Sequence, residues 1–215
     1  MIRAVLFDVG GVLTRPLHTF VVDAMRDSGV DPDALQSVLM PMFASADDGD
    51  EPAHRWERGE IDLEGFLALL GPTGEAVRPV LDPASSHFLA QGVEPHQGMH
   101  AFAAEVRAGG LRVGVLSNIM AEWLPTWWRA LPRPDAFDAV LFSCEVGHRK
   151  PGAAIYRLAL ERLGVEPAEA LLLDDFVPMV AGARAVGMHA VEVRDHDTAI
   201  AEARALLAGS SNTGR

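Results

Sequence analysis

Residues 4–13 read Ala-Val-Leu-Phe-Asp-Val-Gly-Gly-Val-Leu, and this stretch decides the fold. An apolar run, Ala4–Val9, carries a single carboxylate, Asp8, near its end and is followed by two glycines, Gly10 and Gly11. A strand with one wet face alternates apolar and polar residues, whereas a strand covered on both faces of a parallel sheet reads as a nearly continuous apolar run. Four later runs share this character: Arg112–Ser117, Ala139–Ser143, Ala170–Asp174 and His189–Val193. Helical patterns lie between them. Gly98–Ala108 carries Met99, Phe102, Ala103 and Val106 at helical spacing and stops at Gly109-Gly110. Pro151–Leu163 opens with proline in a first-turn position and ends at Gly164, and Met179–Val186 ends at Gly187. The alternation predicts an α/β fold whose core is a doubly wound, Rossmann-like parallel sheet.

The stretch between the first two strands differs. From about Pro16 to Pro95 there are helical patterns and no clear strand, the best being His18–Ser28, Asp33–Phe43 and Asp62–Leu70, with Asp62 placed to cap a helix beginning near Leu63. About 80 residues is far more than a crossover needs. The expected organisation is an α/β core domain made of residues 1–15 and 96–215, and a small helical cap domain, residues 16–95, inserted after the first strand and lying over the sheet's edge.

Composition limits the function. The 215 residues are 49% hydrophobic and 22% charged, which suits a globular chain with a sizeable core. A net charge of −12 argues against nucleic-acid binding through a broad basic face. A small anionic substrate stays compatible, because one lysine or a bound cation reverses the field locally. Cys144 is the only cysteine, so an intramolecular disulfide and a multi-cysteine zinc site are excluded, and a buried structural thiol is expected. No apolar stretch reaches 18 residues, so no membrane span is expected, and the N-terminal run is too short for a signal peptide. These features predict a cytoplasmic protein, monomeric or homodimeric, with a frayed polar tail over Gly209 to Arg215.

Ligands of open α/β sheets bind outside the carboxyl ends of the strands. The first strand ends in Asp8-Val9-Gly10-Gly11, the second in Ser117-Asn118 and the fourth in Asp174-Asp175, and Lys150 precedes the helix after the third. The chemistry of these groups is coherent. Asp8 can attack an electrophilic phosphorus. The glycines let backbone N–H groups approach an anionic oxygen. Ser117 can donate to phosphate, and Lys150 supplies a point charge. Asp174 and Asp175 crowd Asp8 with negative charge, which a cation would relieve, and Mg²⁺ prefers oxygen ligands of this kind.

The ordered segments FDVGGVLT, VLSN, RKPGAAIY and LLLDD resemble the haloacid dehalogenase (HAD) superfamily of hydrolases over nearly the whole chain. The cap-bearing subfamily fits best. The segment Trp56-Glu57-Arg58-Gly59-Glu60-Ile61 is similar to a cap element of the branch containing bacterial α-D-glucose-1-phosphate phosphatase and the N-terminal phosphatase domain of soluble epoxide hydrolase. The resemblance implies Asp8 as the nucleophile of an aspartyl-phosphate route, with Lys150 steadying Asp8 and the phosphate. It implies phosphate contacts around Val9, Gly10, Gly11, Ser117 and Asn118. For Mg²⁺ it implies Asp8, the Gly10 carbonyl and Asp175, with Asp174 behind or acting through water. The expected partner is a small phosphorylated metabolite.

Two departures stand out. Most phosphatases of the superfamily carry a second Asp two positions after the nucleophile as general acid/base, worth about 10²–10⁴-fold; here that position is Gly10, as in the sugar-phosphatase branch. That favours good leaving groups, such as anomeric or acyl phosphates. The loop after the carboxylate pair, Phe176-Val177-Pro178-Met179, is also apolar where the family often has a polar residue ordering the metal loop. Two other functions follow from these residues: a weak or inactive ligand-binding protein of the same fold, and a metal-independent 2-haloacid dehalogenase, against which the acidic pair argues. His18, His54, His148 and His189 are candidates to replace the missing acid, each more readily structural. Trp123, Trp127 and Trp128 read as packing residues. Trp56 has a somewhat better claim to stack on substrate. Asp47-Asp48-Gly49-Asp50-Glu51 reads as a solvated loop.

Overall fold

A computed structural model describes residues 1–15, 42, 49–86, 93–131 and 134–211. Its centre is strand β1 (Ala4–Phe7), flanked by β2 (Arg112–Ser117) and β4 (Ala170–Asp174), with β3 (Ala139–Phe142) and β5 (His189–Glu192) outside them. The order β3-β2-β1-β4-β5 is parallel throughout. The order reverses at β1, so the crevice at its carboxyl end is the switch point where such sheets bind ligands.

The continuous apolar runs are explained by burial on both faces. Val5 and Phe7 join Val113, Val115, Leu171, Leu173 and Val191 in one core cluster. Ala4 and Leu6 join Leu116, Leu141, Leu172 and Ala190 in another. The first cluster is covered by helices Gln97–Ala108, through Met99, Phe102, Ala103 and Val106, and His196–Ser211, through Ala199, Ile200 and Ala203. The second is covered by Ala153–Leu163 and Val177–Ala185.

Between Thr14 and Pro95 the described residues form helices α1 (Pro52–Glu57), α2 (Leu63–Leu70) and α3 (Pro72–Leu81), with no strand among them. Asp62 caps α2 as expected, its carboxylate accepting from Gly65 N at 2.8 Å. The chain leaves and re-enters the core at one place: Thr14 bridges Pro95, and His96 N donates to Leu13 O at 2.8 Å. The helices expected over His18–Ser28 and, Met42 apart, Asp33–Phe43 lie outside the described residues, as do His18, Asp47, Asp48 and residues 212–215. No helix among the described residues is long and apolar enough to cross a membrane.

Strand ends differ by one or two residues, and two helix starts differ as well. The helix expected to open at Pro151 begins at Ala153, because residues 149–152 form a turn in which Gly152 N donates to Arg149 O at 3.0 Å. The helix expected from Met179 begins at Val177, with Pro178 in its first turn.

Candidate active site

Sheet register brings the carboxylates together. Phe7 pairs with Leu173, so Asp8 follows β1 beside Asp174, and Asp8 N donates to Leu173 O at 3.0 Å. The next five residues close on themselves: Leu13 N reaches Asp8 O, and Thr14 N and Oγ1 both donate to Val9 O. Gly11 adopts φ +75°, and a Cβ there would lie 2.0 Å from Asp175 Oδ2. The glycine is therefore fixed by both backbone torsion and space. Gly11→Ala is expected to lose about 1–2 kcal/mol from the left-handed backbone alone and to displace Asp175. A lowered unfolding midpoint together with weakened divalent-cation affinity is the measurable result; an alanine variant with the parent's cation affinity would contradict this reading.

Lys150 sits at the centre. Its Nζ donates to Asp8 Oδ1 at 2.9 Å and to Asp174 Oδ2 at 2.5 Å, and it is 2% exposed. Burial opposes its charge, but Asp174 and Asp8 outweigh burial and hold the amine protonated, raising its pKa. Its backbone is held in turn: Asn118 Nδ2 donates to Lys150 O at 2.9 Å, and Lys150 N donates to Asn118 Oδ1 at 2.8 Å. Asn118, expected beside the phosphate, thus spends both side-chain polar atoms on the lysine turn. Ser117 ends β2, is 1% exposed, and its hydroxyl makes no hydrogen bond among the described residues. Ile119 is fixed to Ser143 by two bonds, Ile119 N to Oγ at 2.9 Å and Oγ to Ile119 O at 3.2 Å. This locks the loop after β2 to the end of β3.

Asp8, Asp174 and Asp175 each present an oxygen within 4.8 Å of the others. Burial, with Asp8 and Asp174 beside it, pushes Asp175 up to about 8. Burial raises Asp174 too, against the pull of Lys150. Three carboxylates whose oxygens lie this close form an all-oxygen cluster that suits a hard divalent cation. The sign of its pH dependence follows. A carboxylate raised on folding binds more protons folded than unfolded between its ordinary value, near 4, and its folded one, about 8 for Asp175. Stability of the metal-free protein is thus expected to fall as pH rises through that window. Added Mg²⁺ should raise the melting temperature more at about pH 8 than at about pH 5. Melts in chelator and in Mg²⁺ at both pH values check this; an equal gain at both would contradict it.

The apolar loop after the carboxylate pair is anchored by other means. Asp174 Oδ1 accepts from Phe176 N at 2.9 Å, and Tyr156, fully buried, donates its hydroxyl to Met179 O at 2.7 Å.

The helices between β1 and β2 pack onto this site's loops. Trp56 is 0% exposed, stacks on Phe66 with centroids 4.6 Å apart, and donates Nε1 to Glu122 Oε2 at 2.9 Å. It is a core residue, which removes its claim to stack on substrate. Trp123 donates to Leu81 O at 2.9 Å and Trp127 is buried, as packing residues should; Trp128 lies edge-on to Phe142 but is exposed. His148 and His189 are exposed and His54 is buried in α1. Asp50 and Glu51 are exposed. Cys144 is half-buried, and burial pushes its thiol up to about 12, far from a reactive thiolate. One feature escaped the sequence reading: Arg149 Nε donates to Glu57 Oε2 at 2.6 Å, with side chains 0% and 9% exposed. Arg149 stands next to Lys150 and Glu57 within the Trp56–Ile61 segment, but nothing in the sequence pairs them.

With strand order, switch point and carboxyl-end carboxylates in place, comparison with known proteins decides the family. A family model described as haloacid dehalogenase-like hydrolase matches residues 2–187. The chain belongs to the haloacid dehalogenase-like hydrolases. It is 32% identical over 209 residues to mouse acyl-CoA dehydrogenase family member 10, covering 95% of this chain but only 19% of that protein. It is 26% identical over 206 residues to a sesquiterpene phosphatase of Aspergillus oryzae, covering 95% and 96% of the two chains. A HAD family enzyme of Bacteroides thetaiotaomicron, solved with magnesium and inorganic phosphate, shares the fold at a TM-score of 0.60 and 18% identity, over 89% of this chain and 94% of that one. The HAD chain described here is therefore a hydrolase with the superfamily's parallel-sheet core.

Proposed function

We propose that this HAD hydrolase is a Mg²⁺-dependent phosphatase acting on a small phosphorylated metabolite through an aspartyl-phosphate on Asp8. The observation that carries the reading is Lys150 Nζ bridging Asp8 and Asp174 within a cluster of three carboxylates. Asp8, Asp175 and the Gly10 carbonyl are the groups that would hold the cation, with Asp174 behind them. When bound, the cation supplies charge that screens carboxylate from phosphate.

An oxygen of Asp8 attacks phosphorus. The bond from phosphorus to the leaving oxygen breaks as the acyl phosphate forms, and the leaving oxygen departs with the electron pair and is protonated by solvent. Water then attacks phosphorus, the Asp8–phosphorus bond breaks, and inorganic phosphate leaves with Asp8 restored. Lys150 holds Asp8 oriented through its 2.9 Å contact and balances charge on the transferring group. Ser117 offers its hydroxyl to a phosphoryl oxygen, and the Val9–Gly11 backbone lies against the same group. Since Gly10 provides no acid, substrates with better leaving groups, acyl and anomeric phosphates, turn over faster than alkyl phosphates. Residues 16–95 act as a cap that excludes water and selects substrate. A cytoplasmic setting and a monomer or homodimer fit this reading and the unpaired Cys144.

Phosphate release from a panel of acyl, anomeric and alkyl phosphates, with and without Mg²⁺, tests it. The expected result is Mg²⁺-dependent release in that order of rate. Ligand binding without turnover would instead make the chain a binding protein, and halide release from 2-haloacids without metal would make it a dehalogenase.

A further inference from the structure

We infer that the buried Glu57–Arg149 ion pair makes α1 a positioning element for Lys150, so that the active-site amine is set by how the inserted helices seat on the core. In its kinetic part this rests on the phosphatase reading above. The pair joins residues 92 positions apart, one in α1 and the other directly before Lys150. Arg149 is fully buried and Glu57 nearly so. As a means of stability such a pair is a poor choice, because apolar side chains of similar volume often do as well. Its effect is directional: it fixes where the Arg149–Gly152 turn lies relative to α1.

The rest of the contact supports this. The same turn is gripped from the core side by Asn118 through the Lys150 backbone. Glu122, shortly after Ser117 and Asn118, accepts from Trp56 at one oxygen and from Leu63 N at the other, 2.7 Å. Gly59, just past α1, approaches the Cys144 carbonyl so closely that a Cβ would lie 2.7 Å from its oxygen. Thus α1 and its flanks touch the segments after β2 and β3, one following Ser117 and the other carrying Lys150. A displacement of α1 pulls Arg149, and Lys150 Nζ cannot follow without leaving Asp8 or Asp174. Misplacing a reacting or supporting group by about 1 Å can cost roughly 10²-fold. Glu57 and Arg149 are therefore positioning residues that act through Lys150.

The test is the double variant Glu57→Gln/Arg149→Met, which removes both charges together and leaves no unpaired buried ion. As a control, Glu64→Gln/Arg78→Met removes an exposed pair between α2 and α3. The expected result is a folded Glu57/Arg149 variant with kcat lowered about tenfold or more and KM within about twofold. Amide hydrogen exchange over residues 147–152 should be about tenfold faster than in the parent, with the control unchanged in both. If the double variant does not fold, Glu57→Asp, which keeps both charges but withdraws the carboxylate by one methylene, is expected to give the same split. A parental kcat, or unchanged exchange over 147–152, overturns the inference. If the parent itself releases no phosphate, the phosphatase reading fails, and the exchange result alone decides this one.

Discussion

Asp8→Asn is expected to give a folded protein that releases no phosphate. Asparagine has the shape of aspartate, and its amide oxygen can still accept from Lys150 Nζ, so the 2.9 Å contact and the Val9–Leu13 loop have no reason to move. The amide is no nucleophile, and no acyl phosphate forms. Loss of a covalent nucleophile lowers turnover by about 10⁴-fold or more. The substitution also removes one negative charge from a cluster in which Asp8 helps push Asp175 up to about 8. The metal-free variant should therefore melt no lower than the parent at about pH 8. Rates on an acyl phosphate with Mg²⁺, beside thermal melts, give both results. Turnover within about tenfold of the parent would discard Asp8 as the attacking group.

Lys150→Met should have the next largest effect, on stability and on activity together. The ammonium is buried and faces two carboxylates at hydrogen-bonding distance. Removing one partner of a buried ion pair costs about 3–5 kcal/mol, because the other charge is left uncompensated. Activity should fall by about 10²–10³-fold, the scale for losing one preorganised group that stabilises transition-state charge. The pH dependence has a definite sign. Without the lysine, Asp174 and Asp175 hold protons more strongly still, so the variant is more stable at low pH and loses stability as pH rises toward 8. Denaturant unfolding at about pH 5 and about pH 8 reads this directly. A variant equally stable at both would show that Lys150 does not neutralise the cluster.

The sheet was legible because each strand is covered on both faces. Leu6 and Phe7 point into different core clusters, and such burial leaves no polar alternation to mislead. Predicted strand ends differ from the observed ones mainly at β1, where Val9 turns into the Asp8–Thr14 loop. Asp8, Ser117, Lys150, Asp174 and Asp175 were legible because their chemistry is uncommon at strand ends. The sequence points to Asn118 but not to its grip on the Lys150 backbone, since a side-chain amide serves a ligand or a turn equally well. Glu57, Arg149 and Glu122 were not legible as a set. Such residues usually lie in solvent, and only the packing of α1 on the loops after β2 and β3 reveals that here they face inward. The helix after Lys150 begins two residues later than the sequence predicts, because proline suits a first turn as well as the turn that aims the lysine back at Asp8.

A crystal structure with Mg²⁺ and orthophosphate tests the central claim most directly. The account predicts a cation held by Asp8, the Gly10 carbonyl and Asp175, with phosphate against Lys150, Ser117 and the glycine loop. A cluster of three carboxylates that takes up no cation under those conditions, or a phosphate bound away from Asp8 and Lys150, would contradict it.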